Sequence, residues 1–474
     1  MKKHGLLKVL GILLLIVVIL SYILVGRYGE RSYIGLGDTL LNSLQSLYYF
    51  FDTALFILVV GGFYGVLSKT SAYKKLLDKI VTSVKPNSKR FLYAVIIVFA
   101  IVTSLTGMTL PLIIFVPFVV SIILLLGYDK LVALTATIGS IMIGFIGGIF
   151  VSFRDPSNYY GVSFTTFDKF VGLTSNFTNV IPRLLLLLAG IVLLIIYLNK
   201  YIKNVESKKV KYELNDNTDL LVTEVKGNYK DIKTWPLIVI LSIMFVLLVL
   251  GMMPWNSLFN VTAFDKFHTW LTGLSIKKFA IFPSIISANF PALGNWASLG
   301  NYLMIMILLL VFTFIIKLVS RMKCNDMIDA FVEGMKKMLP TAALIVIAYG
   351  VLVCTYNNGF MEHIISSYGK FNYGVSSLIA ILGSVLNVDL YYTAAGIFSP
   401  MIGLITDEGV YSSVSILLQG IFGVVSFVGP TSIILIFGLS YLDIPYTTWL
   451  KYIWRFVLYL LVLVALVVLI LALL

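Results

Sequence analysis

The chain has 474 residues, with Lys and Arg numbering 35 and Asp and Glu 22, for a net charge of +13. Hydrophobic residues make up 59% and charged residues only 12%, and the mean hydropathy is +0.99. A soluble protein carries about a quarter charged residues, so this composition excludes a cytosolic enzyme, a disordered chain and a disulfide scaffold. The apolar residues come in long unbroken runs and not in the alternating pattern of a membrane barrel. An all-α polytopic membrane protein is the class that remains. Cys324 and Cys354 read as free apolar thiols. His4, His268 and His363 are scattered without ligand spacing, and no phosphate loop, HExxH or CxxC occurs. No cofactor, metal site or enzymatic activity is expected. The basic excess falls in short loops between apolar runs, where a membrane protein keeps it, so nucleic acid is not expected as a partner.

In chain order, residues 1–36 hold a first span after Lys2 and Lys3. The apolar run is too long for a signal peptide and lacks its small-residue cleavage site. The N-terminus is expected in the cytoplasm and the protein in the plasma membrane. Residues 37–50 are amphipathic and suit the interface; Phe51 to Ser68 is the next span. Residues 69–90 are lysine-rich, with Lys69, Lys74, Lys75, Lys79, Lys85, Lys89 and Arg90. Residues 91–127 are too long for one span and short for two. Their middle reads TSLTGMTLP, a helix breaker, which predicts a re-entrant hairpin. A broken helix is expected over 131–172, interrupted at SFRDPSNYYG, and a span from Ile181 to Leu198. These elements form a first repeat over 37–198.

Residues 199–234 are polar and lysine-rich and read as a cytoplasmic linker. Residues 235–300 combine a span with an external interfacial region holding Trp255, Trp270 and Trp296. Residues 301–474 repeat the grammar of the first half. They comprise the span Tyr302 to Val319, an amphipathic stretch before a span from Pro340 to Thr355, a hairpin over 374–404, a broken helix over 411–442, and a last span. One hairpin is expected to open inward and the other outward. The fold class is therefore an inverted repeat with two re-entrant hairpins and two broken helices, about ten spans in all, the architecture of many secondary transporters.

The breaks are where chemistry is expected, because irregular backbone at membrane depth survives only where protein or a water-filled cavity covers it. The first tip offers Ser104, Thr106, Gly107 and Thr109; the first break offers Asp155, Ser157 and Asn158. The second tip offers Ser384, Asn387, Asp389 and Thr393; the second break offers Gly429, Thr431 and Ser432. A single hydroxyl cluster in a membrane helix reads as helix–helix glue. Four at matching places in two halves read as a shared solute site near the midplane. Asp389 is costly at depth and reads as functional. Asp155 beside Arg154 reads equally as an ion pair at an aqueous end. Asp52 and Arg183, near span ends, read as snorkelling side chains. GFIGG at 144–148 reads as close packing, and Asn357 and Asn358 as a turn.

Three segments carry a resemblance. The first half has VGGFYGVLSKTSAY at 60–73, then GMTLPLIIFVPFVVSIILLLGYDKLVALTATIGSIMIGFIGGIF followed by DPSNYYGVS. The C-terminal part has GPTSIILIFGLSYLDIPYTTWLKYIWRF. Together they resemble the DcuC/YfcC-like carriers of the ion transporter superfamily, over most of residues 51–170 and 375–460. The resemblance implies paired hairpins with substrate near their tips, and substrates from four-carbon dicarboxylates to basic amino acids. The acidic pair common at the family's first tip is missing from TGMTLPL, Asp155 stands where Asn is usual, and the second tip reads LNVDLYYTAAG. The expected function is secondary active transport of a small carboxylate-bearing metabolite, first an amino acid, driven by Na⁺ or H⁺ or by exchange. The alternatives are a dicarboxylate or short-chain fatty-acid carrier on the same scaffold, and a non-transporting membrane scaffold. The partners expected are a small-molecule substrate, the lipid bilayer and a second copy in a homodimer.

Overall fold

The computed structural model describes residues 5–28, 33–154, 164–175, 177–207, 232–287, 290–296, 302–387 and 389–473. The first half opens with α1 (Gly5–Tyr28), the amphipathic α2 (Leu36–Tyr49), α3 (Phe51–Lys69) and α4 (Ser71–Val84). The lysine-rich stretch is thus helical, with Tyr73, Leu76 and Leu77 turned inward. α5 (Ser88–Thr106) ends at Gly107, whose φ of 68° places it in the left-handed region that closes helices. A 3₁₀ turn (Leu110–Phe115) and α6 (Val116–Leu125) return from that tip. The GYD turn follows. Asp129 accepts from the Val132 N–H at 2.8 Å and so caps α7 (Lys130–Leu134), and it accepts from the Tyr201 hydroxyl at 2.5 Å. Burial lifts its carboxyl above the ordinary range, and those hydrogen bonds pull it back.

α7 passes through a π turn (Thr135–Gly139) into α8 (Ser140–Ile146). Here the structure corrects the expected broken helix over 131–172. Helix stops at Ile146; the chain resumes as β1 (Ser152–Arg154), antiparallel to β2 (Phe164–Thr166), and then α9 (Phe167–Val171). The Gly147–Gly148 pair ends the helix, and the β-branched and aromatic residues beyond it favour strand. α10 (Val180–Glu206) runs on into the expected linker, most of which lies outside the described residues.

α11 (Trp235–Met252), α12 (Trp255–Phe259), α13 (Ala263–Gly273), the strand pair β3 (Ser275–Ile276) and β4 (Phe279–Ala280), and α14 (Ile281–Ile285) lead to the second half. It begins with α15 (Leu303–Val319). The amphipathic stretch and the span expected as two pieces are one helix, α16 (Cys324–Asn358), with Pro340 inside it. Pro340 and Lys336 both lie on the exposed face, so the carbonyl freed by proline is not stranded in the core. After α17 (Phe360–Ser366), the second hairpin comprises α18 (Tyr373–Leu386), a tip, α19 (Leu390–Thr393), a π turn (Ala394–Phe398) and α20 (Ser399–Ile402). α21 (Tyr411–Val425), an interruption, α22 (Ile433–Tyr441) and α23 (Tyr446–Leu473) complete the chain. Among the described residues, eight helices are long and apolar enough to cross a membrane, and four shorter apolar helices accompany them.

Two packings position the breaks. α3 and α16 meet backbone to backbone, since a Cβ on Gly65 would stand 2.2 Å from the Ala330 carbonyl and one on Gly334 2.1 Å from the Gly61 carbonyl. The two interrupted helices pack antiparallel. Gly438 faces Leu134 and Ile138, Gly423 faces Ile146, and Gln419 reaches Gly148, so one descends as the other climbs. The GFIGG motif is packing, as expected: a Cβ on Gly144 would stand 2.3 Å from the Ala100 carbonyl of α5, and one on Gly147 2.5 Å from the Leu187 nitrogen of α10.

Replacing Gly334 by Leu is expected to destabilise the protein by about 3 kcal/mol or more. Gly37→Ala, at a position with nothing within 4 Å, is expected to be neutral or stabilising by under about 1 kcal/mol. Thermal unfolding of the detergent-solubilised variants checks both.

Candidate functional site: two hairpin tips bonded to two helix breaks

A helix stopped inside the protein leaves its last carbonyls and first N–H groups without intrahelical partners. At the first break these groups are met by the first tip. The Ser104 hydroxyl donates to the Gly147 carbonyl at 2.7 Å, and the N–H groups of Ile149 and Phe150 donate to the Ser104 carbonyl at 3.0 and 3.2 Å. The second half uses the same device in reverse. The Thr431 hydroxyl, in the break, donates to the Val385 carbonyl, next to the tip, at 2.7 Å. Each hairpin tip is therefore bonded to the interruption of its own half.

The remaining carbonyls of the first break are held by a buried polar cluster. The Arg183 guanidinium donates to the Gly148 carbonyl at 2.9 Å, to the Ser415 hydroxyl at 2.8 Å and to the Asp168 carboxylate at 2.8 Å. Both members of that ion pair are 1% exposed. Asn179 and Ser415 add hydrogen bonds to Asp168 at 2.7 Å each. The Gln419 amide donates to the carbonyls of Phe145 and Gly148 at 2.9 and 3.0 Å. Arg183 does not snorkel, contrary to the reading from its place near a span end. A charge at membrane depth stays when an opposite charge and several hydrogen bonds surround it. At the second break the Phe427 carbonyl accepts from the Trp449 indole at 2.7 Å and the Val428 carbonyl from the Tyr446 hydroxyl.

Unpartnered buried atoms remain at both junctions: the Arg183 Nε and the Gln419 Oε1 at the first break, and further groups at the second tip. α22 starts at Ile433 with Ser432 as its N-cap residue and no side-chain cap, so its first-turn N–H groups are available. The Ser384 hydroxyl and the Asn387 side-chain oxygen are buried without a hydrogen-bond partner. The Thr393 hydroxyl is used locally, on the Asn387 carbonyl. Asp389 caps α19 by accepting from the N–H groups of Tyr391 and Tyr392 at 3.1 and 3.3 Å, and accepts from the Tyr349 hydroxyl at 3.4 Å. Tyr349 in turn stacks on Phe50, centroids 3.7 Å apart. At the first tip Thr106 bonds its own helix, on the Val102 carbonyl, and Gly107 closes α5, with Thr109 two residues on. Asp155, Ser157 and Asn158 lie outside the described residues.

Residues 7–473 match the family described as the C4-dicarboxylate anaerobic carrier, DcuC. The chain belongs to this family. It is a multi-pass membrane protein of a carrier family, and a secondary transporter. It is also 22% identical over 449 residues to an uncharacterized protein of Haemophilus influenzae, covering 90% of this chain and 76% of that protein. The YdaH transporter of Alcanivorax borkumensis superposes over 98% of both chains with a TM-score of 0.41 and 12% identity.

Sequence reading missed Asp168, Gln419 and Ser415. A signal existed in Gln419 and Arg183, each a lone polar residue within an apolar run, ILLQGIFGVV and VIPRLLLLL. Asp168 sits in FTTFDKF beside Lys169, and nothing local marks it as the partner of Arg183.

Removing one member of the pair, as in Arg183→Met, is expected to cost about 3–5 kcal/mol, because it strands the Asp168 carboxylate. Arg183→Met combined with Asp168→Leu is expected to recover part of that loss. Denaturant unfolding of the purified variants checks the sign of the difference.

Proposed function

We propose that the protein is an alternating-access carrier of a small carboxylate-bearing metabolite, first an amino acid, with the second tip and the start of α22 as its solute site. One observation carries this reading: uncapped helix N–H groups, a buried orphan hydroxyl and a buried orphan amide oxygen flank the bonded junction of a hairpin and a helix break. Helix N-termini favour an anionic group, and half-helix ends at membrane depth are where transporters hold substrate carboxylates. The carboxyl at this tip is Asp389, with Asp52 near enough to act on it electrostatically, whereas the buried cation Arg183 is engaged by Asp168. A zwitterion brings an ammonium for Asp389 and a carboxylate for α22. The antiparallel packing of the two interrupted helices supports an inverted relation between the halves. The plasma membrane, a cytoplasmic N-terminus, coupling to Na⁺ or H⁺, and a homodimer belong to the same proposal.

The description of the family favours a second reading, a C4-dicarboxylate as substrate. The two readings place opposite demands on Asp389. Uptake of labelled arginine and labelled succinate into proteoliposomes, each challenged with ornithine and butyrate, separates them. On the amino-acid reading, arginine is taken up, ornithine competes, and Asp389→Asn lowers uptake about tenfold or more. Thr431→Ala combined with Ser432→Ala lowers it as well. Succinate uptake indifferent to Asp389→Asn selects the dicarboxylate. Unchanged uptake in all of these variants defeats the site assignment.

A further inference from the structure

The bonded groups form an unbroken physical path between the two tips. Ser104 at the first tip is bonded to Gly147. Its chain neighbour Gly148 presents one carbonyl to two donors from different elements, Arg183 of α10 and Gln419 of α21. Arg183 also grips α21 through Ser415, and Asp168 holds both. Asn179 adds a second strap to the same helix, donating to the Ser412 carbonyl at 3.3 Å and accepting from its hydroxyl at 2.5 Å. α21 then runs as rigid helix to Val425, and Thr431 beyond it is bonded to Val385 at the second tip.

This path crosses between the halves at one place. α21 belongs to the second half, yet Gln419, Ser415 and Ser412 are all spent on groups of the first. The bonds of Ser104, Arg183, Ser415 and Gln419 on it are made in the protein interior, where there is little water to substitute if they are broken. A break that shifts relative to α21 must give up both of the bonds that the Gln419 amide donates to it, on the Phe145 and Gly148 carbonyls. Such a junction has few stable arrangements, which is the property needed to pass a change at one site to another.

We infer that Gln419 and Arg183 are positioning residues that couple the two tips, so that a change at the first tip is felt at the second through α21. They touch no solute in this assignment; they set the relation between the groups that do. The inference rests on the reading of the tips as the working parts of the carrier, but its test requires no substrate. Uptake assays probe that reading, and backbone exchange probes the coupling.

The experiment is hydrogen–deuterium exchange on the full-length protein in lipid nanodiscs. Ser104→Ala removes the hydroxyl's two bonds at the first tip, to the Gly147 carbonyl and from the Ile149 N–H. The inference predicts faster exchange not only at residues 147–150 but also at residues 385–387 and 431–436, by about threefold or more. In a Gln419→Leu background the effect of Ser104→Ala is expected to stay within the first half. Arg183→Lys keeps the charge but loses the forked geometry, and is expected to weaken the remote effect while Arg183 variants lacking charge risk unfolding. A purely structural role predicts that Gln419→Leu raises exchange around itself and leaves the remote effect of Ser104→Ala intact. That result, or an effect of Ser104→Ala confined to the first half in the otherwise unaltered protein, overturns the inference.

Discussion

A backbone carbonyl or N–H without a partner in an apolar interior costs several kcal/mol, and this cost organises the molecule. Both interrupted helices stop among buried residues. Ser104, Gln419 and Arg183 hold carbonyls of the first break and Trp449 and Tyr446 those of the second, while Thr431 in the second break donates to the Val385 carbonyl beside the tip. The antiparallel packing of the interrupted helices, the glycines that let α8 lie against α5 and α10, and the burial of Asp168 all serve that pairing.

On the proposed reading, the pairing also narrows where a solute is held. A break whose carbonyls are covered no longer offers them to a cation, and the first break is largely covered. The second retains an uncapped helix start together with Ser384 and Asn387. The polar groups of the two halves divide the work unequally. The first half supplies an anchored junction, and the second supplies open groups around Asp389 and α22.

Much of the scaffold was legible in the sequence, because lipid exposure imposes long apolar runs and helix breakers interrupt them visibly. TSLTGMTLP ends α5, GPTS interrupts the last third of the chain, and the amphipathic residues 37–50 form α2 as their periodicity predicts. What failed was local continuation. Pro340 did not divide α16, because the carbonyl it frees faces outward, and the segment after Gly147 turned to strand. The Asp168–Arg183 pair was hidden for a different reason. Its members lie fifteen residues apart and their cage comes from α21, more than 230 positions further on, so only the fold brings the charges to one place. Hydroxyl-rich tips are readable one by one; which of their groups remain unspent depends on partners in the other elements.

The central claim is that the unspent groups at the second tip surround the transported solute. Alkylation of a Thr431→Cys variant in a Cys324→Ser, Cys354→Ala background tests it most directly, with a lipid-facing Leu458→Cys variant alongside. The account predicts that the transported solute slows alkylation at position 431 over the same concentrations that saturate uptake, and leaves position 458 untouched. Equal rates at position 431 with and without saturating solute would contradict it.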